Sequence, residues 1–301
     1  MKSYLYIIAA TLALAAEYLL VKAAKDVPVY LVGMIVFATA GTLLAVVAPR
    51  QKAVSGAWKR FLPGAFAVGV IGSCCNLLWI SGTQLTSVAN ASALGRMDVV
   101  FTLFLSALIF KEEIPRRMWP FIGISLLGGA LIVQIFSLDL MSMGSVGDFL
   151  IIGGAFMLSL NSFIIKRFSK SLGPVRLAAF NCGINVVVFT VASIAFGGIN
   201  GIPELSPQAW LILLSCGVCS FVFFAGYYSG VRELPVWKVR LIALAAPVFT
   251  AFGGWIIFDE TLSGQTFIGM VLVLAGAAAL IKINDKKVNY ENKKQKALVL
   301  N

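Results

Sequence analysis

Three charged side chains stand where a membrane helix should carry none. Within Val88 to Phe110, VANASALGRMDVVFTLFLSALIF, Arg96 and Asp98 lie near the middle of a stretch long enough to cross a bilayer, and Glu17 interrupts the apolar run from Tyr4 to Val21. A charge at that depth costs about 2.5–3.5 kcal/mol even on the lenient insertion scale, so each needs a partner, water or a ligand. Arg96 can take a carboxylate or phosphate with two parallel hydrogen bonds. Glu17 and Asp98 can hold an amine or carry a proton. Asn76 and Trp79, Asn161 and Ser162, Asn181 and Asn185 (an i, i+4 pair), and Tyr227 add polar or aromatic groups to other apolar stretches. Each Asn alone reads as an interhelical hydrogen bond; together they describe a polar interior lining.

The elements that position these residues follow from composition. The chain is 59% apolar and 12% charged, with 22 Phe, far from the balance of a soluble domain. At about 20 apolar residues per crossing, ten spans are predicted: Tyr4 to Val21, Val29 to Val47, Phe61 to Ser81, Val88 to Phe110, Met118 to Phe136, Asp148 to Ile165, Val175 to Ala195, Ala209 to Gly230, Val236 to Phe258 and Gly264 to Ile281. Lys2 ahead of an apolar run reaching Ala13, Leu14 and Ala15 has the outline of a signal peptide, but the run continues through Val21, and a retained first span is expected. The formal charge of +11 reads as topology, with no nucleic-acid partner. With both termini cytoplasmic, all Lys and Arg except Lys22, Lys25 and Arg96 fall on the inner side, as the positive-inside rule requires. The basic tail, residues 284–301, reads as a solvated anchor without structure.

The chain also repeats itself. At an offset of 148 residues Trp79 falls on Tyr227, Gly82 on Gly230, Phe110 on Phe258 and Glu112 on Glu260; at 144, Glu17 falls on Asn161 and Lys22 on Lys166. Residues 1–140 and 145–283 thus form two five-span units. Five is odd, so the second enters the membrane from the opposite face. Inverted pairs of this kind build many secondary transporters, with the binding site at mid-membrane between the repeats.

Helix arithmetic puts Arg96 roughly 12 Å and Asp98 roughly 15 Å from the outer end of span four, with Glu17 at a depth like that of Arg96. Glu17 and Arg96 are therefore expected to pair across two helices. Arg96 and Asp98, two residues apart, project from different sides of a continuous helix, unless Gly95 loosens it. Pro247, in the middle of span nine, predicts a kink suited to a gate. Lys238 and Arg240, at the inner end of span nine, are expected to snorkel to the surface, the alternative for Arg240 being an inner gate paired with Glu233 or a substrate anion. The small-residue faces of spans five and ten suit internal packing or a homodimer.

Enzyme chemistry has little to work with. His is absent, and Cys74, Cys75, Cys182, Cys216 and Cys219 all lie in apolar spans; CxxC spacing at Cys216 and Cys219 without further ligands does not make a metal or redox site. No cofactor is expected, and carboxylates are left as proton carriers.

The ends of spans four and nine carry a family resemblance. PVFTAFGGWIIFDETLSGQTFIGMVLVLAG from Pro247 and DVVFTLFLSALIFKEEIPRRMWPFIGISLLGG from Asp98 share Phe-Ile-Gly at Phe121 to Gly123 and Phe267 to Gly269. Over nearly its whole length the chain resembles the drug/metabolite transporter superfamily, specifically its EamA-type ten-span members. That resemblance implies an all-α membrane protein of two inverted five-helix repeats, working by alternating access and commonly exporting amino acids or related metabolites from a bacterial-type inner membrane. Glu112 and Glu260 match the family's acidic position and are expected to cap or bridge neighbouring loops. Val99 where the second copy has Pro247, Glu17 near a usual Trp-Gly pair, and Asn161 where Trp is frequent depart from the pattern. A lipid or polyprenyl-phosphate translocase is the alternative, with Arg96 holding a phosphate headgroup in a groove. A purely structural ion network is the competing account of Glu17, Arg96 and Asp98.

Overall fold

A computed structural model describes residues 2–24, 26–48, 57–85, 94–112, 114–132, 146–196, 202, 205–259 and 262–299, with backbone only for Lys2, residues 57–61, 80, 83–84 and 283–299. All described secondary structure is helical, as lipid demands of a backbone that must satisfy its own hydrogen bonds. The helices are α1 (Lys2–Ala23), α2 (Val29–Val47), α3 (Ala57–Leu85), α4 (Met97–Leu108), α5 (Trp119–Ile132), α6 (Val146–Leu172), α7 (Pro174–Ala195), α8 (Pro207–Glu233), α9 (Val236–Ala243), α10 (Ala246–Phe258) and α11 (Gly264–Val299). Eight segments are long and apolar enough to cross a membrane, with α9 and α10 together making one of them. The two shorter ones, α4 and α5, fall in the predicted fourth and fifth spans. Outward-facing Phe104, Leu108, Val187, Leu211, Ile256 and Phe267 are exposed, as suits lipid contact.

Turn chemistry sets the helix boundaries. Gly173, at φ 85°, reverses the chain between α6 and α7 in one residue, and Pro174 then starts α7 at a position that needs no N–H. Ser206 caps α8, its Oγ accepting from Ala209 N–H at 3.1 Å. Lys111 and Asp259, equivalent at the 148-residue offset, are the two non-glycine residues with positive φ among those described, at 48° and 53°. Both repeats therefore leave their fourth span by the same left-handed step.

Helix pairing follows the sequence repeat. Span three (α3) packs on span six (α6), and its repeat mate, span eight (α8), packs on span one (α1); α2 packs on α7 and α5 on α11. Exchanging the repeats leaves this list unchanged, as a two-fold relation requires. The mates agree in detail: a Cβ on Gly82 would lie 2.8 Å from Ile151, and one on Gly230 would lie 1.9 Å from Ile7, which is Ile151's counterpart at offset 144. The small-residue faces of spans five and ten meet each other, with Gly128 and Gly269 each lacking room for a Cβ against the other's carbonyl oxygen at 2.7 Å. The tail departs from expectation, since α11 runs on as helical backbone to Val299.

Candidate functional site

Spans four and nine are both broken at mid-length. In span four the helical Leu94 and Gly95 are followed by a turn at Arg96, and α4 starts at Met97. Span nine breaks at Leu244 and Ala245, one residue ahead of Ala246-Pro247 at the start of α10. Arg96 and Leu244 correspond at offset 148, so the breaks are repeat mates. Pro247 explains the second, because it cannot donate back into the preceding turn. At the first, Gly95 admits the indole of Trp79 so closely that a Cβ would sit 2.1 Å from the ring. The helix is therefore not continuous through Arg96 and Asp98; it is interrupted next to Gly95, where the sequence allowed it to loosen.

A cavity of ≈ 260 Å³ lies between the breaks. Spans one to four and six to nine all contribute to its wall, while spans five and ten stand outside it. Of the residues singled out from sequence, Glu17, Asn76, Trp79, Arg96, Asp98, Asn161, Asn181, Tyr227 and Arg240 line it. Asn185 lies behind the wall: its Oδ1 accepts from Asn76 Nδ2 at 2.8 Å and its Nδ2 donates to Asn181 O at 2.9 Å. Pro247 is not in the wall; it lies in the first turn of α10, just beyond the break.

The ion pairing differs from expectation. Arg240 Nη1 donates to Asp98 Oδ2 at 3.1 Å, across the two repeats, with both side chains buried. Arg240 Nη2 donates to Ser162 Oγ at 2.7 Å and to Leu158 O at 3.1 Å, and the guanidinium carbon sits 5.1 Å from the Tyr227 ring centroid. Tyr227 Oη and Ser162 Oγ share a further bond at 2.9 Å. Ser159 Oγ donates to the Asp98 carbonyl at 2.7 Å, tying the start of α4 to α6. Arg240 thus does not snorkel, and Glu233 is paired with Arg232 instead. Lys238 is also buried, its Nζ 5.2 Å from the Tyr4 ring. One signal for the missed partner was available: apart from Arg96, only Arg176, Lys238 and Arg240 among basic residues lie inside the predicted spans, and Asp98 needs a cation from another helix.

Glu17 and Arg96 do not pair. Glu17 sits beside Ser220, and Arg96 beside Tyr18 and Asp98. Among the described residues neither has an ion-pair contact, and Arg96 Nε has no hydrogen-bond partner. At the far end of span four, Glu112 pairs with Lys166, takes Ser106 Oγ at 3.2 Å and accepts Val236 N–H at 3.0 Å, capping α9 as a bridging residue should. Phe110 stacks on Phe163 alongside, with centroids 4.0 Å apart. Glu260 and Lys25 lie outside the described residues.

Two segments of the chain, residues 1–134 and 145–282, each match the EamA-like transporter family. The chain belongs to that family. It is a multi-pass membrane transporter of two EamA repeats, and not an enzyme. It is 26% identical to the pseudopaline exporter CntI of Pseudomonas aeruginosa over 80% of this chain and 82% of that one. Identity to a probable amino-acid metabolite efflux pump of Escherichia coli is 25%, over 62% of this chain and 64% of the pump. An uncharacterized transporter of Methanothermobacter thermautotrophicus is 25% identical over 68% of this chain, and the match spans 60% of that relative's length. A solved crystal structure superposes with a TM-score of 0.76 over 94% of this chain and 98% of its own at 18% identity, a likeness of fold.

Proposed function

We propose that the protein exports small zwitterionic metabolites of the amino-acid type across the inner membrane by alternating access. The observation that carries this reading is a pair of opposite charges lining one cavity without pairing. Asp98 and Arg240 neutralise each other, whereas Arg96 and Glu17 have no ion-pair contact among the described residues. A zwitterion supplies both missing partners. Its carboxylate takes the fork of Arg96, and its ammonium turns to the acidic side formed by Glu17 and the free oxygen of Asp98. Trp79, Asn161 and Tyr227 bound the volume left for the rest of the molecule.

The two breaks give the repeats places to bend, so that rocking exposes the cavity to one side at a time. With the termini cytoplasmic, the cluster of Glu112, Lys166 and the Val236 N–H joins span four to spans six and nine at the inner end and acts as the inner closure. Relatives described as an amino-acid metabolite efflux pump and a pseudopaline exporter support small metabolites and outward transport. The lipid or polyprenyl-phosphate alternative has less support, because Glu17 and Asp98 line the same cavity as Arg96 and would repel an anionic headgroup.

The test is counterflow in proteoliposomes loaded with a panel of amino acids, organic acids and nucleobases. Exchange of amino acids that disappears in Arg96→Ala and Glu17→Gln, with both variants still folded, is expected. Exchange confined to organic acids, and untouched by Glu17→Gln, would contradict the reading.

A further inference from the structure

Asp98 is held through one oxygen only. Oδ2 takes the Arg240 guanidinium, while Oδ1, equally buried, has no hydrogen-bond partner among the described residues. Buried carboxylate oxygens are rarely left so. The titratable or charged groups around the carboxylate are Arg96 from its own span, Arg240 from α9, Tyr227 from α8, Cys75 from α3 and Tyr18 from α1. Ser159 of α6 is spent on the backbone carbonyl. A second acceptor site on a cavity-lining acid remains, and two donors fit it: an ammonium group or a proton. Both cannot occupy it at once.

We propose that Oδ1 of Asp98 is a proton-binding site shared with the substrate's ammonium group, so that one proton enters for each zwitterion exported. The proposal rests on the zwitterion reading of the cavity. While Asp98 is ionised, Oδ1 accepts an N–H of the ammonium, Arg240 holds Oδ2 and Arg96 holds the substrate carboxylate. A proton arriving at Oδ1 makes a neutral carboxylic acid. The acceptor is lost, the substrate leaves unchanged, and Arg240 keeps its bonds to Ser162 and Leu158 without its counter-charge. Release of that proton on the other side restores the ion pair. Asp98 and Arg240 belong to different repeats, so the occupant of Oδ1 acts on the surface along which the repeats move.

The experiment is proton release on binding. Purified protein in weakly buffered detergent solution is given an equimolar mixture of neutral L-amino acids, binding is followed calorimetrically, and released protons are read with an indicator dye. Wild type is expected to release protons on binding, and its apparent Kd is expected to rise as pH falls, by up to about tenfold per pH unit. Asp98→Asn keeps a carbonyl acceptor but has no proton to give: it is expected to bind roughly tenfold or more weakly and release none. Glu17→Gln is expected to bind more weakly, with no loss in the number of protons released per substrate bound. Wild-type binding with no release or with proton uptake, a Kd independent of pH, or undiminished release by Asp98→Asn would each overturn the proposal. Absence of any wild-type binding would overturn the zwitterion reading with it. If Asp98→Asn does not fold, the pH dependence of wild-type Kd decides.

Discussion

The Asp98 and Arg240 side chains meet in a buried, inter-repeat contact at 3.1 Å, and removing one leaves the other charge stranded. Breaking such a pair ordinarily costs about 3–5 kcal/mol. Arg240→Ala is therefore expected to lower stability by about that much in detergent unfolding, with Asp98→Asn in the same chain recovering part of the loss; purely additive effects would mean the contact is not formed in solution. Arg96 is expected to behave differently, because its unpaired guanidinium faces the cavity instead of holding the fold together. Arg96→Lys should keep the charge but lose the two-toothed grip on a carboxylate, raising the transport KM roughly tenfold while leaving thermal unfolding nearly unchanged. The polar set was legible in the sequence residue by residue, since Glu17, Asn76, Arg96, Asp98 and Asn161 are all expensive in an apolar span. Their pairing was not. Equal depth pointed Arg96 to Glu17, whereas the ion pair formed is that of Asp98 with Arg240 from the other repeat, which depth along one helix cannot reveal.

At the scale of helices, the offset of 148 residues already aligned spans four and nine, and Pro247 marked one break. The break at Arg96 has no proline to announce it, only Gly95; the closure of Trp79 over that glycine is a contact between distant parts of the chain that spacing cannot reveal. The meeting of spans five and ten was equally hidden, because small-residue faces serve any close neighbour. Gly128→Ala pushes a methyl group onto the backbone of Gly269 and Val273 at 2.7 and 2.8 Å. A cost of about 1–3 kcal/mol is expected from such overpacking, while Gly123→Ala, with nothing within 4 Å, should unfold like wild type. The inner closure makes its own prediction. In a chain whose sole cysteine is Cys75, which lines the cavity, Glu112→Ala is expected to raise labelling by a membrane-impermeant maleimide from the cytoplasmic face several-fold; unchanged labelling would remove Glu112 from the gate.

For the molecule as a whole, two repeats of opposite orientation enclose a cavity whose charges balance in total but do not all pair. The fold and the membrane topology follow from span length, repeat offset and the placement of basic residues; the proposal for the cargo rests on which charges the cavity leaves without an ion-pair contact. On that proposal a zwitterion partners both Arg96 and Glu17, and a molecule lacking either charge partners one. The most direct measurement is competition against amino-acid counterflow in proteoliposomes by three forms of one amino acid: the free zwitterion, its methyl ester, which lacks the carboxylate, and its N-acetyl derivative, which lacks the ammonium. Inhibition by the zwitterion at concentrations at least about tenfold below either blocked form is predicted, since each lost charged hydrogen bond is worth about 1.5–3 kcal/mol. Equal inhibition by the N-acetyl derivative would contradict the account, because it would make the cavity a site for anions in which Glu17 and Asp98 have no part.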